Sequence, residues 1–201
     1  VATVDSGTAT VEQALLIDLD TTGIITATIS DGDLATLTTL TDANTNNVLT
    51  ITVTDTSADA ADLNTVDGIT SGTVTATAVA TITGTAAAIV TAGASDGITT
   101  ATNYVATVDS GTATVEQALL IDADTTGIIT ATISDGDLAT LTTLTDANAN
   151  NVLTITVTDT SAAAADLITV DGITSGTVTA TAVATITGTA AAIVTAGASA
   201  G

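Results

Sequence analysis

The stretch VATVDSGTATVEQALLID begins at Val1 and begins again at Val105, a period of 104 residues. Over their shared span the two copies differ only at Leu19/Ala123, Thr45/Ala149, Asp59/Ala163, Asn64/Ile168 and Asp96/Ala200. Whatever one copy folds into, the other must fold into as well. Internal repetition of this kind constrains a chain to an array of like units. Each copy divides again into four segments, which in the first copy are 1–23, 24–46, 47–72 and 73–104, the last being the longest. Most segments run about 23–26 residues, the period of arrays that spend one strand and one short helix per repeat.

Within a segment, alternating β-branched residues come first and a helical pattern follows. In LTITVT, Leu49, Ile51 and Val53 fall on one face, and Thr50, Thr52 and Thr54 on the other. Ile25, Ala27 and Ile29 separate from Thr26 and Thr28 in the same way, as do Val74 and Ala76 from Thr73, Thr75 and Thr77. That period of two predicts strands. Apolar groups three and four apart then predict helices: Val11, Ala14 and Leu15; Leu34 and Leu37; Ala60, Leu63 and Val66; Ala86, Ile89 and Val90. Asp33 and Ser57 are placed as N-caps, and Gly23, Gly68 and Gly72 as turn residues. Such short elements bury little alone. The expected fold class is therefore α/β: a repetitive β/α solenoid, leucine-rich-repeat-like, with coils of one strand plus one short helix. Residues 1–104 are the first repeat of four coils, and 105–201 the second, stacked on the first as one continuous array. An all-β parallel solenoid is the alternative, because TVTATAVATIT also reads as one long strand.

Composition decides which chemistries such an array can carry. The 201 residues include no Lys, Arg, His, Cys, Met, Trp, Phe or Pro, one Tyr (Tyr104), and a formal charge of −22. High charge favours disorder, but 45% of the residues are hydrophobic and they alternate regularly, so packing prevails. A polyanion repels nucleic acid and anionic membranes, which excludes both as partners. Cys/His metal sites and His- or Cys-based catalysis have no side chains to use. The longest weakly polar run, TAAAIVTAGA at 85–94, is too short to span a membrane, so no membrane insertion is expected. With no initiator Met or basic leader, the chain reads as a processed protein or an internal piece of a longer one.

Acidic turns are the candidate sites. Asp18-Leu-Asp20-Thr-Thr22-Gly23 fits the D-x-D-x-[ST]-G opening of an EF-hand-like loop, in which hard oxygen ligands surround a sharp turn. The twelfth position, where a full loop needs a bidentate Glu, is Ile29, so Asp31 and Asp33 are the candidates to complete a calcium site. The second copy offers Asp122, Asp124, Thr126, Asp135 and Asp137. Calcium is the one candidate cofactor, against a solvated turn that holds only water; the pattern leaves both open. Asp5, Asp31 and Asp55 each end a strand. In stacked coils they form a row at about 4.8 Å, either bridged by cations or, as preferred, bonded to turn N–H groups. Val-Asp-Ser-Gly-Thr at 4–8 and 108–112 matches the short aspartic-protease signature. That chemistry needs two carboxylates sharing a proton, whereas several coils would separate Asp5 from Asp109, and no enzyme is expected. The outward threonines would form a regular grid that resembles the ice-binding face of threonine-array solenoids, and that any exposed sheet face also favours.

One resemblance is specific enough to name. ADLNTVDGITSGTVTATAVATITGTAAAI, residues 61–89, is similar to the Ala/Thr/Asp-rich repeats of very large secreted bacterial proteins of the hemolysin-type or calcium-binding kind, common in cyanobacteria. The likeness lies in LNTVDG, TSGTV and the TGTAA element, and extends over both copies. It implies an extracellular or cell-surface structural role. The glycine-rich nonapeptide that binds calcium in RTX toxins is missing, so that mechanism does not carry over. The expected function is a non-enzymatic extracellular repeat protein that builds a filament, sheath or surface layer with itself as partner, head-to-tail or laterally. The alternative is a calcium-dependent adhesin extender or an ice-binding module. Absence of Lys and Arg removes every trypsin-type cleavage site, which suits exposure outside a cell.

Overall fold

The computed structural model describes residues 1–5, 7–41, 47–145 and 151–199. The differing positions Thr45, Ala149 and Ala200, the end of the segment 24–46, and Ser6 of the protease-like motif lie outside them. The fold is α/β with parallel sheets, and the described residues form thirteen strands and eight helices. They group into two compact units, Val1–Gly84 with Thr91–Tyr104, and Thr85–Val90 with Val105–Gly201.

The first unit runs β1 (Ala2–Thr3), α1 (Val11–Asp20), β2 (Ile25–Thr28), α2 (Leu34–Leu37), β3 (Val48–Thr52), β4 (Ser57–Asp59), α3 (Ala60–Ile69), β5 (Val74–Ala76) and β6 (Thr81–Gly84). Next comes α4 (Ala86–Ala94), inside which the boundary between the units falls, and then β7 (Ile98–Thr100). Its main sheet has the order β1-β2-β3-β5-β7, and β4 pairs with β6; all the pairings are parallel. The registers Ala2↔Ile25, Thr26↔Val48, Ile51↔Val74 and Val74↔Ile98 join residues 23, 22, 23 and 24 apart. Each strand is thus followed by a crossover that returns the chain one strand further along the sheet.

The second unit holds β8 (Val105–Val108), α5 (Val115–Asp124), β9 (Ile129–Thr132), α6 (Leu138–Leu141), β10 (Val152–Thr156), β11 (Ser161–Ala163), α7 (Ala164–Gly172), β12 (Val178–Thr179), β13 (Thr185–Thr187) and α8 (Ala190–Ala198). Its parallel strands lie in the order β12-β10-β9-β8, with β11 against β13. Ala106↔Ile129, Thr130↔Val152 and Ile155↔Val178 repeat the spacing of the first unit.

The strand faces are those the alternation predicts. Leu49, Ile51 and Val53 are buried while Thr50, Thr52 and Thr54 are exposed, and Ile25, Ala27 and Ile29 also point inward. From the helices, Val11, Ala14, Leu34, Leu37, Leu63 and Val66 complete the interior. A side chain of Leu or Ile size buried this way stabilises the fold by about 1.5–3 kcal/mol. Tyr104 is also buried.

Three local expectations are corrected, and α2 is shorter than the helices on either side of it. Ser57 opens β4, paired with Thr81, and the N-cap of α3 is Asp59, whose Oδ1 accepts the Ala61 N–H at 2.7 Å. Gly68 lies inside α3 rather than in a turn. Segment 47–72 carries two strands and segment 73–104 three, and TVTATAVATIT breaks into β5 and β6 at a turn where the Val79 N–H donates to the Ala76 carbonyl at 3.1 Å. Helix α2 is a single turn. The Thr38 and Thr39 hydroxyls bond the Ala35 and Thr36 carbonyls at 3.0 and 2.6 Å, competing with helix continuation.

Candidate functional site

The acidic turns lie at the two ends of β2 and of its counterpart β9. On the entry side, Thr10 and Gln13 make a reciprocal capping box at the start of α1, with the Gln13 N–H donating to Thr10 Oγ1 at 3.1 Å and the Thr10 N–H to Gln13 Oε1 at 2.9 Å. The helix that follows carries Asp18 in its last turn, where the macrodipole disfavours a carboxylate. Asp18 is nevertheless buried, and Asn47 Nδ2 donates to its Oδ1 at 3.5 Å; Asn151 does the same for buried Asp122 at 3.3 Å. The other oxygen-bearing arm of each Asn takes a strand amide: Asn47 Oδ1 accepts the Ile25 N–H and Asn151 Oδ1 the Ile129 N–H, both at 2.8 Å. Asp20, Thr22 and Thr126 are exposed, and Asp124 is half-buried.

On the exit side the carboxylates are committed to helix starts. Asp31 Oδ2 accepts the Val11 N–H at 2.6 Å, reaching back to the first residue of α1. Asp55 Oδ2 accepts the Leu34 N–H at 2.8 Å, reaching back to α2. Asp33 caps its own helix, accepting the Thr36 N–H and hydroxyl at 3.0 and 2.8 Å. The second repeat copies this pattern: Asp135 takes Val115 at 2.7 Å, Asp159 takes Leu138 at 2.8 Å, and Asp137 takes the N–H and hydroxyl of Thr140, both at 3.0 Å. A carboxylate at a helix N-terminus satisfies an orphan N–H and faces the positive end of the dipole. Of the two readings of the aspartate row, the one bonded to N–H groups is the one observed at Asp31 and Asp55.

Asp18, Asp20 and Thr22 therefore precede β2 while Asp31 and Asp33 follow it, and Asp122, Asp124 and Thr126 stand to Asp135 and Asp137 in the same way across β9. The placement does not bring the two groups together. Among the described residues, no three acidic side chains converge on a point where they could hold a metal ion. Asp5 and Asp109 belong to different units.

Sequence reasoning missed a polar column that runs beside the sheet. The Thr70 hydroxyl accepts the N–H groups of Leu49 and Gly72, each at 2.8 Å, and lies 2.9 Å from the Leu49 carbonyl it can donate to. Thr174 repeats the arrangement around Leu153 and Gly176. Ser95 donates to Asp67 at 2.7 Å, and Ser199 to Asp171 at 2.6 Å. Thr21, Asn47, Thr70 and Ser95 each stand a few residues ahead of a strand, and that recurrence at about the segment period was the available signal. Every buried side-chain N or O among the described residues has a hydrogen-bond partner.

On the outer face of the sheet the threonines are in register: Thr28 with Thr50, Thr52 with Thr75, and Thr75 with Thr99. Comparison with known proteins gave no match: no family model, no curated protein and no solved structure is similar to the chain.

Proposed function

We propose that this chain is a structural module, not an enzyme: a β/α solenoid whose stacked coils build an extracellular filament, sheath or surface layer by self-association. The observation that carries the reading is the use made of its carboxylates. Asp31 and Asp55 each bond the helix start of the preceding segment, and Asn47 bonds its strand. Asp31, a calcium candidate by its sequence pattern, and Asp55 thereby act as stitches between successive segments. The constant register of 22–24 residues in the parallel sheets supports the stacked-coil architecture. Electron microscopy of the concentrated protein in 0.5 M salt tests the function. Unbranched fibres or sheets are the expected outcome, and dispersed single particles at every concentration would refute it.

A second reading is favoured by the in-register threonines, which place hydroxyls and methyls on adjacent strands about 4.8 Å apart. Such a face is suited to ordering water, as in a threonine-array ice-binding module. A thermal-hysteresis measurement decides it: faceted crystals and a depressed growth temperature support ice binding, and unshaped discs at millimolar protein reject it.

A further inference from the structure

The two repeats contain the same end surfaces in two environments. The helical segment Thr85–Val90 belongs to one compact unit with Val105–Gly201, and its Ile89 is 1% exposed. Its counterpart Ile193 is 37% exposed, and the adjacent Val194 is 70% exposed. The opposite surface behaves reciprocally. Ala106, Val108 and Ile121, on the segment that begins with β8, are buried at 0, 8 and 1%. Their counterparts Ala2, Val4 and Ile17, on the segment that begins with β1, are all partly exposed. Val4 and Ile17, together with Ala9 and Leu16, line an open cleft of about 390 Å³.

Sequence does not account for this difference. Thr85–Val90 and Thr189–Val194 are identical, and Val1–Gly23 differs from Val105–Gly127 only at Leu19/Ala123. Ile89, Ala106, Val108 and Ile121, all of the second unit, are buried, while their counterparts Ile193, Ala2, Val4 and Ile17 are open. We propose that a second copy of this chain docks head-to-tail, the N-terminal half of α8 of one molecule (Ala190, Ile193 and Val194) seating in the Val4–Ala9–Leu16–Ile17 cleft of the next. The inference rests on the stacked-coil reading above and names the surfaces through which the array grows. The contact is heterologous, using two different patches, so it does not close on itself and produces open fibres. Each molecule carries a charge of −22, so the contact requires salt that shortens the range of repulsion.

Complementary blocked variants test the docking. Ile193→Asp puts a carboxylate on the α8 surface, and Ile17→Asp puts one in the cleft; Ile17→Ala serves as the milder cleft variant, and circular dichroism verifies that each is folded. In sedimentation at 0.5 M salt the unsubstituted chain should form a ladder of oligomers. Each Asp variant alone should lose association by at least about a hundredfold, because the interface would bury an unpaired charge, and Ile17→Ala should weaken it less. An equimolar mixture of Ile17→Asp and Ile193→Asp should give a discrete dimer, since each retains the surface that the other lacks. If the variants assemble as well as the parent, or the mixture gives no dimer, this docking is wrong while self-assembly through another surface stands. If the parent chain stays monomeric at millimolar concentration, both fall.

Discussion

Replacing Ala163 by Asp should stabilise the second repeat, because the first repeat already carries that residue at the same position. Asp59 has φ −77° and ψ 133°, and Ala163 has φ −78° and ψ 134°, so the backbone that precedes α3 and the backbone that precedes α7 have the same shape. The Asp59 carboxylate accepts the Ala61 N–H at 2.7 Å, whereas Ala163 offers no side-chain cap. An Asp-to-Ala change at an N-cap costs about 1 kcal/mol, within a range of roughly 0.5–2. Asp166, three residues on, opposes a new carboxylate by a few tenths of a kcal/mol, as Asp62 opposes Asp59. The net gain for Ala163→Asp is then about 0.5–1 kcal/mol, and Asp59→Ala should lose a similar amount. In a chain of this length that amounts to roughly 1–4 °C in melting temperature. Amide exchange offers a local assay, since 1 kcal/mol slows exchange through local opening about fivefold. Protection at the Ala165 amide should rise in Ala163→Asp, and protection at Ala61 should fall in Asp59→Ala. If Ala163→Asp leaves both the melt and the Ala165 exchange unchanged at 0.15 M salt, the capping argument fails at the position where its geometry is best defined.

Gly72→Ala should unfold the first repeat or cost several kcal/mol, because a Cβ there would lie against the Leu49 carbonyl oxygen and 2.7 Å from its carbon; Gly68→Ala, with open space around it inside α3, should instead gain about 0.5–1 kcal/mol, and urea melts compare the two directly. Asn47→Leu strands the Ile25 N–H and removes the donor to buried Asp18, a loss of roughly 2–4 kcal/mol that an unchanged urea midpoint would contradict. Calcium and magnesium at equal concentration should raise the melting temperature equally, by screening a charge of −22, since Asp31, Asp33, Asp135 and Asp137 are committed to helix N–H groups. A rise specific to calcium and reversed by chelator would support the ligand reading of the acidic turns.

Much of the fold was legible because a pleated strand records burial in every second residue. Ile25-Ala27-Ile29 and Leu49-Ile51-Val53 announced their inward faces, and Asp33 announced a helix start. The Ser57 cap misled because a cap is a matter of local backbone angle. With residues 57–59 extended against Thr81–Thr83, Asp59 is the residue that reaches the first free amides. The split between β5 and β6 was present in the sequence as a slip of phase. Val74 and Ala76 point inward, and so does Val79 three residues later, which a continuous strand forbids. The site was less legible than the fold. A carboxylate pattern states which residues can accept, but not which donors approach, and Val11 and Leu34 supply theirs from segments some twenty residues away.

Those donors follow from composition. With no Lys, Arg or His, no side chain offers a full positive charge to 22 acidic groups. The partial charges left to pair with are backbone N–H groups, concentrated at helix N-termini and strand ends, together with Ser, Thr and Asn. An array of short helices multiplies helix N-termini, and each becomes a place to lodge a carboxylate, as at Val11 with Asp31, Leu34 with Asp55, Val115 with Asp135 and Leu138 with Asp159. The aspartate comes from the following segment, so each of these bonds requires that segment to be in place. A surface with so many like charges would otherwise oppose the close approach of successive segments. Here part of that charge is directed into the joints, where the same carboxylates that repel one another in solution hold successive segments in register.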